Sequence, residues 1–282
     1  MKTPTSMLIT IAWRNLWRNH RRSLIMLAAI AIGLWGMIWM TALMRGMVDQ
    51  MVDSAINTLS GHVQIHAEGF LDDPSIERTV PPVRDNPALQ SLLDSARVTH
   101  WSERIRVPAV IRSERDVLGV TLVGIDPQQE NGLSFIADSV TEGEYLAGVD
   151  DQHVLVGRKL LERLETKSGR RIVLMSQDPD NNIAERGFRI GGIFDTDLQA
   201  TETSYVFAGI ETVRAMLGMG DGVSEISLLG PDYRNLDALA ADVRAAAGEA
   251  DTKTWLELDP YMATMLGVMD GVILIWFSII FV

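Results

Sequence analysis

Two histidines at strand spacing are the first residues of this chain that could do chemistry. His62 and His66 lie on one face of a predicted strand, with Gln64 between them, as two metal ligands could. A structural zinc site needs four ligands and a catalytic one needs three, and no clear third partner follows. The pattern therefore predicts no metal site.

A second polar cluster, from Asp178 to Asn182, resembles a fragment of a calcium loop. It lacks the D-x-D-x-N-G spacing and the distal Glu of such loops, so we predict a polar hairpin tip. The chain contains no G-x-S-x-G, H-E-x-x-H or Walker A sequence and no cysteine, which excludes thiol nucleophiles and Cys-ligated metals. We predict no catalytic, cofactor-binding or metal-binding residue.

The element that dominates the sequence is an apolar run with a basic flank. Ser23 to Met44 is uncharged, and about 20 apolar residues span a bilayer. The basic residues before this run predict a cytoplasmic N-terminus, since the first acidic residue is Asp49; they are Lys2, Arg14, Arg18, Arg21 and Arg22. A cleaved signal peptide has a shorter apolar run and an A-x-A-like site, so we predict a retained transmembrane helix.

The other end of the chain, from Gly271 to Val282, is again uncharged and apolar. We expect a second span to begin near Gly271 and to continue past Val282, with more transmembrane helices beyond. In the alternative, the span begins near Met262 and places Asp270 inside the membrane, where an ionisable residue indicates function.

Amphipathic stripes border both spans on the outer side. Apolar residues at helical spacing extend the first span to Leu59, and a matching stripe follows Asp259-Pro260. We expect the two stripes to pack together, as a plain helical hairpin or as a lever that passes motion. The stalk residues on which this prediction depends are Met47, Met51, Val52, Met262 and Met265.

Between the stalks, strands and helices mix irregularly, which predicts an α+β outer domain over about 61–255. Val117–Ile125 and Glu225–Leu229 are predicted strands, Ile210–Leu217 is a predicted helix, and Gly61–His66 alternates like a half-buried strand. The rest of the chain, after these five basic residues, contains 20 basic and 37 acidic residues, which gives it a net charge of −17. An acidic outer domain argues against a nucleic-acid partner.

Several segments, in order, resemble ABC transporter permeases typified by MacB, LolC/LolE and FtsX. The N-terminal part carries an A-W-R-N-L-W-R-N-H-R-R-S opening and an A-I-x-x-G pattern in the span. The segments are Ala12–Ser23, Ala29–Gly33, Leu122–Pro127, Val154–Leu160, Phe188–Phe194, Val206–Val213 and Gly220–Ile226.

This resemblance implies a membrane protein with transmembrane α-helices and a periplasmic α+β core domain. It implies a cytoplasmic amphipathic helix at 1–22, a span with its stalk at 23–60, a core domain at 61–255, and a second stalk and span beginning at 256–282. Within the core it implies a porter-like α/β subdomain at 61–110 plus 200–255, with a β-rich insert at 111–199.

The resemblance also implies a role for residues in and near the membrane. Arg14, Trp17 and Arg18 are expected at the cytoplasmic face, either contacting an ATPase or only anchoring the helix at the interface. The residues expected to line a cavity for acyl chains, or else to contact lipid or pack, are Trp35, Trp39, Met40 and Asp270.

As a function, the resemblance implies a non-catalytic permease subunit in the bacterial inner membrane that transmits ATPase-driven motion to its periplasmic domain, for release or export of lipoprotein, lipid or peptide. Expected partners are ABC ATPase subunits, a second copy or a paralogous permease, membrane lipid, and a periplasmic adaptor, chaperone or hydrolase. We expect the chain to bind no cofactor itself and the partner ATPase to use ATP. The alternatives are a two-span sensor with a periplasmic ligand-binding domain and an FtsX-like activator of cell-wall hydrolases.

Overall fold

The computed structural model describes residues 9, 11, 13–14, 18–196 and 198–281. The chain divides into two compact units, Met1–Val52 with Leu266–Val282, and Asp53–Met265.

The first unit is helical. Helix α1, His20–Ala55, is 36 residues long, and within it His20–Val52 is, among the described residues, the one helix long and apolar enough to cross a membrane. Its large apolar side chains are exposed, as in Leu24 and Ile38. The predicted N-terminal apolar helix is therefore confirmed, whereas the second span stays a prediction.

The second unit contains, among the described residues, ten strands in a single hydrogen-bonded sheet. The strands are β1 Val63–His66, β2 His100–Arg112, β3 Val117–Ile125, β4 Val140–Gly143, β5 His153–Gly157, β6 Arg171–Gln177, β7 Ile183–Phe194, β8 Tyr205–Gly209, β9 Glu225–Leu229 and β10 Asp251–Thr254.

The order across the sheet is β10-β1-β9-β2-β3-β8-β5-β7-β4, with β6 paired to β2 and β7. The β3–β8 and β5–β7 pairs are parallel and the others are antiparallel. Short helices connect the strands. They are α2 Pro87–Leu93, α3 Pro127–Glu130, α4 Arg158–Arg163, α5 Gln199–Ser204, α6 Ile210–Leu217, α7 Asp237–Ala247 and α8 Trp255–Leu258, followed by the long helix α9 Pro260–Phe281.

The sheet runs without a break through both predicted subdomains. Strand β2 joins them, because its first half pairs with β9 and its last residues pair with β6. The predicted division into a porter-like subdomain and an insert therefore remains a prediction, since Asp53–Met265 forms one compact unit.

One hydrophobic core cluster is built on strands β3, β5, β7 and β8. Phe194 and Phe207 are fully buried, and their rings meet edge to face with centroids 5.6 Å apart. Leu59, from the end of the first stalk, packs into the same cluster beside Val123 and Ile125. The stalk therefore ends inside the apolar core.

Strand β1 corrects one expectation, since all four of its residues are buried and none faces solvent. Its polar face is covered by other polar groups: Gln64 donates to the carbonyl of Leu59 at 2.9 Å, and His66 lies 3.9 Å from Glu225. Alternation of polar and apolar residues predicted an exposed face, but here polar side chains cover it.

Candidate functional site

A charged cluster lies fully buried where the first stalk meets the sheet. Arg104, Glu130 and Glu225 have no exposed surface. The Nε and Nη2 atoms of Arg104 donate to the two carboxylate oxygens of Glu130 at 3.0 and 2.7 Å. Its Nη1 donates to Glu225 at 2.9 Å and to the hydroxyl of Ser227 at 3.1 Å. The bidentate contact with Glu130 uses the planar guanidinium group that arginine alone provides.

The same Nη1 atom also reaches the first stalk. It donates to the main-chain carbonyl of Leu59 at 2.6 Å, and the Nε2 atom of Gln64 donates to that carbonyl at 2.9 Å. Carbonyl groups at the end of a helix have no partner within the helix and carry partial negative charge. Arg104 therefore satisfies and neutralises a helix end in a place that water does not reach.

The end of the stalk has an unusual turn that aims this carbonyl inward. After α1, the chain forms a π-helical turn at Ile56–Ser60, closed by a 3.0 Å hydrogen bond from the N–H of Gly61 to the carbonyl of Ile56. Gly61 has φ +61°, and a Cβ there would lie 3.1 Å from the carbonyl oxygen of Leu228. Both the left-handed backbone and the close approach favour glycine.

The electrostatics of the cluster are balanced. Burial alone would raise the pKa of Glu225, but the charges of Arg106 and Arg104 outweigh burial and hold it below its usual value. Burial alone would lower the pKa of Arg104, but Glu130 and Glu225 raise it. Each of these groups therefore keeps its charge in the core because its partners are close.

His66 borders the cluster without joining its hydrogen bonds. Its ring stacks on Phe70, with centroids 5.4 Å apart, and neither ring nitrogen has a hydrogen-bond partner among the described residues. Burial lowers its pKa, against an opposing effect of Glu225. The ring is therefore neutral at neutral pH and packs as an uncharged side chain.

The second stalk is joined to the neighbouring strand. Thr254, the last residue of β10, forms a capping box with Glu257 at the start of α8. Arg244 holds Glu257 through two contacts of 3.0 and 2.9 Å. Trp255 is buried, and its main-chain N–H donates to the carbonyl of His62 at 3.0 Å.

The two attachments are adjacent. Strands β1 and β10 pair antiparallel, with Val63 opposite Thr254. The first stalk leads into β1 at this point, and β10 leads out into the second stalk. Helix α8 also packs against the π-helical turn. The start of the second stalk therefore contacts the end of the first, while packing of the two apolar stripes against each other stays a prediction.

The residues predicted from the sequence do not converge on this cluster. Arg14 and Arg18 are helical and exposed, whereas Trp17 lies outside the described residues. Trp35, Trp39 and Met40 are exposed along α1, with the two tryptophan rings 5.8 Å apart. Asp270 lies within α9, and its side chain is not described.

Of the predicted stalk residues, Met47 is exposed and Val52 is fully buried, while Met51, Met262 and Met265 are half-buried. Their predicted packing against one another stays a prediction. The polar hairpin tip is confirmed, because Asp178 accepts the N–H groups of Asp180 and Asn182 in the turn between β6 and β7.

Sequence reasoning missed Arg104, Glu130 and Gln64 as members of a site. Arg104 stands in a stretch where arginine alternates with apolar residues, Arg104-Ile-Arg-Val107, which is typical of a strand with one exposed face. No local pattern shows that this face is covered by the stalk end and by Glu130.

Comparison with known proteins gives one matching family model and several solved structures that align with part of the chain. A family model described as the MacB-like periplasmic core domain matches residues 23–246, and no curated protein matches the chain. The periplasmic region of MacB from Actinobacillus actinomycetemcomitans aligns with TM-score 0.49 and 13% identity, over 77% of this chain and 94% of that one. The extracellular domain of the noncanonic ABC-type transporter YknZ from Gram-positive bacteria aligns with TM-score 0.43 and 12% identity, over 65% and 91%.

Proposed function

The chain belongs to the family of MacB-like periplasmic core domains of ABC-type transporter permeases, and from this premise we propose that it is a non-catalytic permease subunit that carries ATPase-driven motion to its outer domain. The observation that supports this proposal is the clamp of Arg104 on the carbonyl of Leu59. A flexible linker at this point would absorb any movement of the stalk.

The hydrogen bond between Arg104 and the carbonyl of Leu59 is strong enough to hold the stalk end on the sheet. A hydrogen bond that involves a charged group contributes about 1.5–3 kcal/mol, and more is lost when a buried partner is left unpaired. Because Arg104 is held by two fully buried carboxylates, pulling Leu59 away would leave the buried carbonyl of Leu59 without its charged donor. The stalk end and the sheet are therefore expected to move as one body.

The second support is the adjacency of the two stalks on β1 and β10. Two helices that enter neighbouring strands at paired residues can shift or tilt those strands together. A movement of both stalks would then displace β10 and β1 at one edge of the sheet. The next strands in the sheet, β9 and β2, would move with them.

The remaining parts of the proposal concern partners. ATP is hydrolysed by a separate ATPase, which contacts the cytoplasmic helix near Arg14, Trp17 and Arg18. The permease pairs with a second copy or with a paralogue in the inner membrane, as a multi-pass protein with a cytoplasmic N-terminus. Trp35, Trp39 and Met40 face acyl chains, and the work of the outer domain is release or export of a lipoprotein, lipid or peptide.

Membership of the permease family favours this function over a two-span sensor. An activator of cell-wall hydrolases shares the permease architecture, so the identity of the periplasmic partner decides between activation and export. Both of these roles need the same transmission of motion.

The transmission can be measured with spin labels, because the chain contains no cysteine. Lys167 is exposed in the outer domain, and a label on Lys167→Cys in each copy of the full permease reports the distance between outer domains. In lipid nanodiscs with the partner ATPase, trapping ATP is expected to shift this distance. Met51→Asp combined with Val52→Asp should abolish the shift while ATP hydrolysis continues.

Gln50→Asp serves as the matched control, since Gln50 is an exposed neighbour on the same helix and receives the same side chain. It should leave the nucleotide-dependent shift intact. An unchanged shift in the Met51 and Val52 double variant, with normal expression, would count against transmission through the stalk.

A further inference from the structure

A groove of about 800 Å³ opens on the second unit away from the charged cluster. One wall is the loop containing Asp73 and Glu77, and the other is the hairpin of β6 and β7, with Ile183 at its edge. The floor is the middle of β2, including Pro108 and Val110. Every one of these residues lies in the described part of the chain.

The groove exists because β2 changes neighbours along its length. It pairs with β9 up to Arg104 and with β6 from Val110 onward. Pro108 lies between these two pairings and has no N–H group to donate. Its carbonyl already accepts a hydrogen bond from the hydroxyl of Ser176 at 2.7 Å. An incoming strand could not pair with β2 here, so recognition must use side chains.

The walls and floor present apolar side chains next to polar ones such as Ser75, Ser176 and Gln177. The side chain of Ile183 is 77% exposed and that of Val110 is 36% exposed. Exposed apolar residues that gather around a concavity mark a binding surface, whereas scattered ones do not.

The charge of the lining has one sign. Asp73 and Glu77 are its charged residues, and no basic side chain lines the groove. Asp73 is partly neutralised by Arg78 at 3.3 Å, which leaves the exposed Glu77 as the main charge. Asp180, also exposed, stands next to the lining residue Asn181. A groove that combines apolar and polar side chains with an acidic rim complements a segment that carries both apolar and basic side chains.

We propose that this groove is the docking site for a protein partner outside the cytoplasm that presents such a segment, with a Lys or Arg at Glu77 and a large apolar side chain between Val110 and Ile183. The inference rests on the proposed function, in which the outer domain acts on another molecule. The partner would lie on β2, the strand whose Arg104 holds the stalk end, and would therefore sit on the element that the stalk moves.

The test is direct binding to the full chain in phosphatidylcholine nanodiscs, without ATPase or nucleotide. The probe is a fluorescent peptide with alternating Lys and Leu, read by fluorescence anisotropy. Glu77→Lys and Val110→Glu should each weaken binding about tenfold, and high salt should weaken it as well. Val117→Glu is the matched control, since Val117 is 52% exposed and does not line the groove; its affinity should be that of the unmodified chain.

Two further probes sharpen the result. A peptide with Glu in place of Lys and one with Ser in place of Leu should both bind more weakly than the first. Equal affinity for either of these peptides, or unchanged affinity in both groove variants, would overturn the proposal. Both substituted residues are exposed, and an unchanged melting temperature of either variant confirms that it is folded.

Because the binding test uses no ATP, its failure leaves transmission through the stalk untouched. If the unmodified permease shows no nucleotide-dependent distance shift but still binds the peptide, the proposed function is refuted and the proposed docking site is not affected.

Discussion

The guanidinium of Arg104 donates a 2.6 Å hydrogen bond to the main-chain carbonyl of Leu59, 45 residues earlier in the chain. Leu59 thus contributes twice, with a side chain in the aromatic core and a carbonyl in the charged cluster. This pair joins the end of a helix to the middle of a sheet without any intervening linker.

The first prediction concerns Arg104→Met. Removing the guanidinium leaves Glu130 buried without its arginine partner and leaves Glu225 with Arg106 alone, which costs about 3–5 kcal/mol. For a domain of this size we expect the melting temperature of the outer domain to fall by roughly 10 °C, measured by tryptophan fluorescence on the full chain. Arg115→Met is the control, because the Arg115–Glu165 pair is exposed and contributes about 0–1 kcal/mol. Equal melting temperatures for the two variants would contradict the clamp.

The second prediction compares two glycines with the same backbone conformation. Gly61 and Gly218 have φ of +61° and +63°, but a Cβ at Gly218 meets nothing within 4 Å. Gly218→Ala should therefore cost only backbone strain, about 1 kcal/mol. Gly61→Ala carries the same strain and also presses on the carbonyl of Leu228, so its free energy of unfolding should fall further. Chemical denaturation measures the difference, and a smaller loss at Gly61 would show that the turn relaxes freely.

The third prediction is a loss of stability in acid. The lowered pKa of His66 means that the folded state binds fewer protons than the unfolded state below pH 6.5, so the contribution of His66 is complete above that pH and declines as the pH falls. The lowered pKa of Glu225 acts in the same direction below its ordinary value of 4.5. Melting temperature should therefore fall in two stages with decreasing pH.

Replacing His66 separates the stages. His66→Leu should flatten the decline that begins near pH 6.5 and leave the decline below pH 4.5, to which the lowered pKa values of Glu225 and Glu257 contribute. His100→Leu, at an exposed position, should leave both stages in place. An identical pH profile for His66→Leu and the unmodified chain would show that His66 does not cause the first stage of the decline.

The fourth prediction concerns the second stalk. Glu257 accepts the N–H of Thr254 at 2.7 Å and binds Arg244, so Glu257→Ala should destabilise the start of α8 by about 1 kcal/mol. Hydrogen exchange should accelerate at the amides of Trp255–Leu258. Glu162→Ala breaks an exposed pair with Lys159 and should leave these amides unchanged. Protection of α8 that survives Glu257→Ala would mean that packing, and not the cap, holds the second stalk.

Much of the secondary structure could be predicted because its signals are local. The bounds predicted for β3, α6 and β9 agree with the structure. Strands β4 and β10 were missed, and they are the two ends of the sheet order. An end strand needs few apolar residues, since it takes part of its stability from pairing with its neighbour, and Asp251–Thr254 therefore shows no apolar pattern.

The site was harder to predict than the fold. Arg104 alternates with apolar residues, as expected for a strand. This pattern is the same whether the arginine side chain is exposed to water or bound to two carboxylates. Glu130 stands 26 residues away from Arg104 and Glu225 stands 121 away. Neither spacing has a local meaning, because chain folding alone brings the three groups together.

The sequence by itself determined the apolar helix with its basic flank, the α+β character of the outer domain and the family, because composition and short-range periodicity carry these. The tertiary structure decided where the stalks end. Only the folded sheet places β1 beside β10 and encloses the carbonyl of Leu59 with Arg104. The physical reason is that a buried charge is stable only where distant residues supply its partners, and no stretch of sequence contains them together.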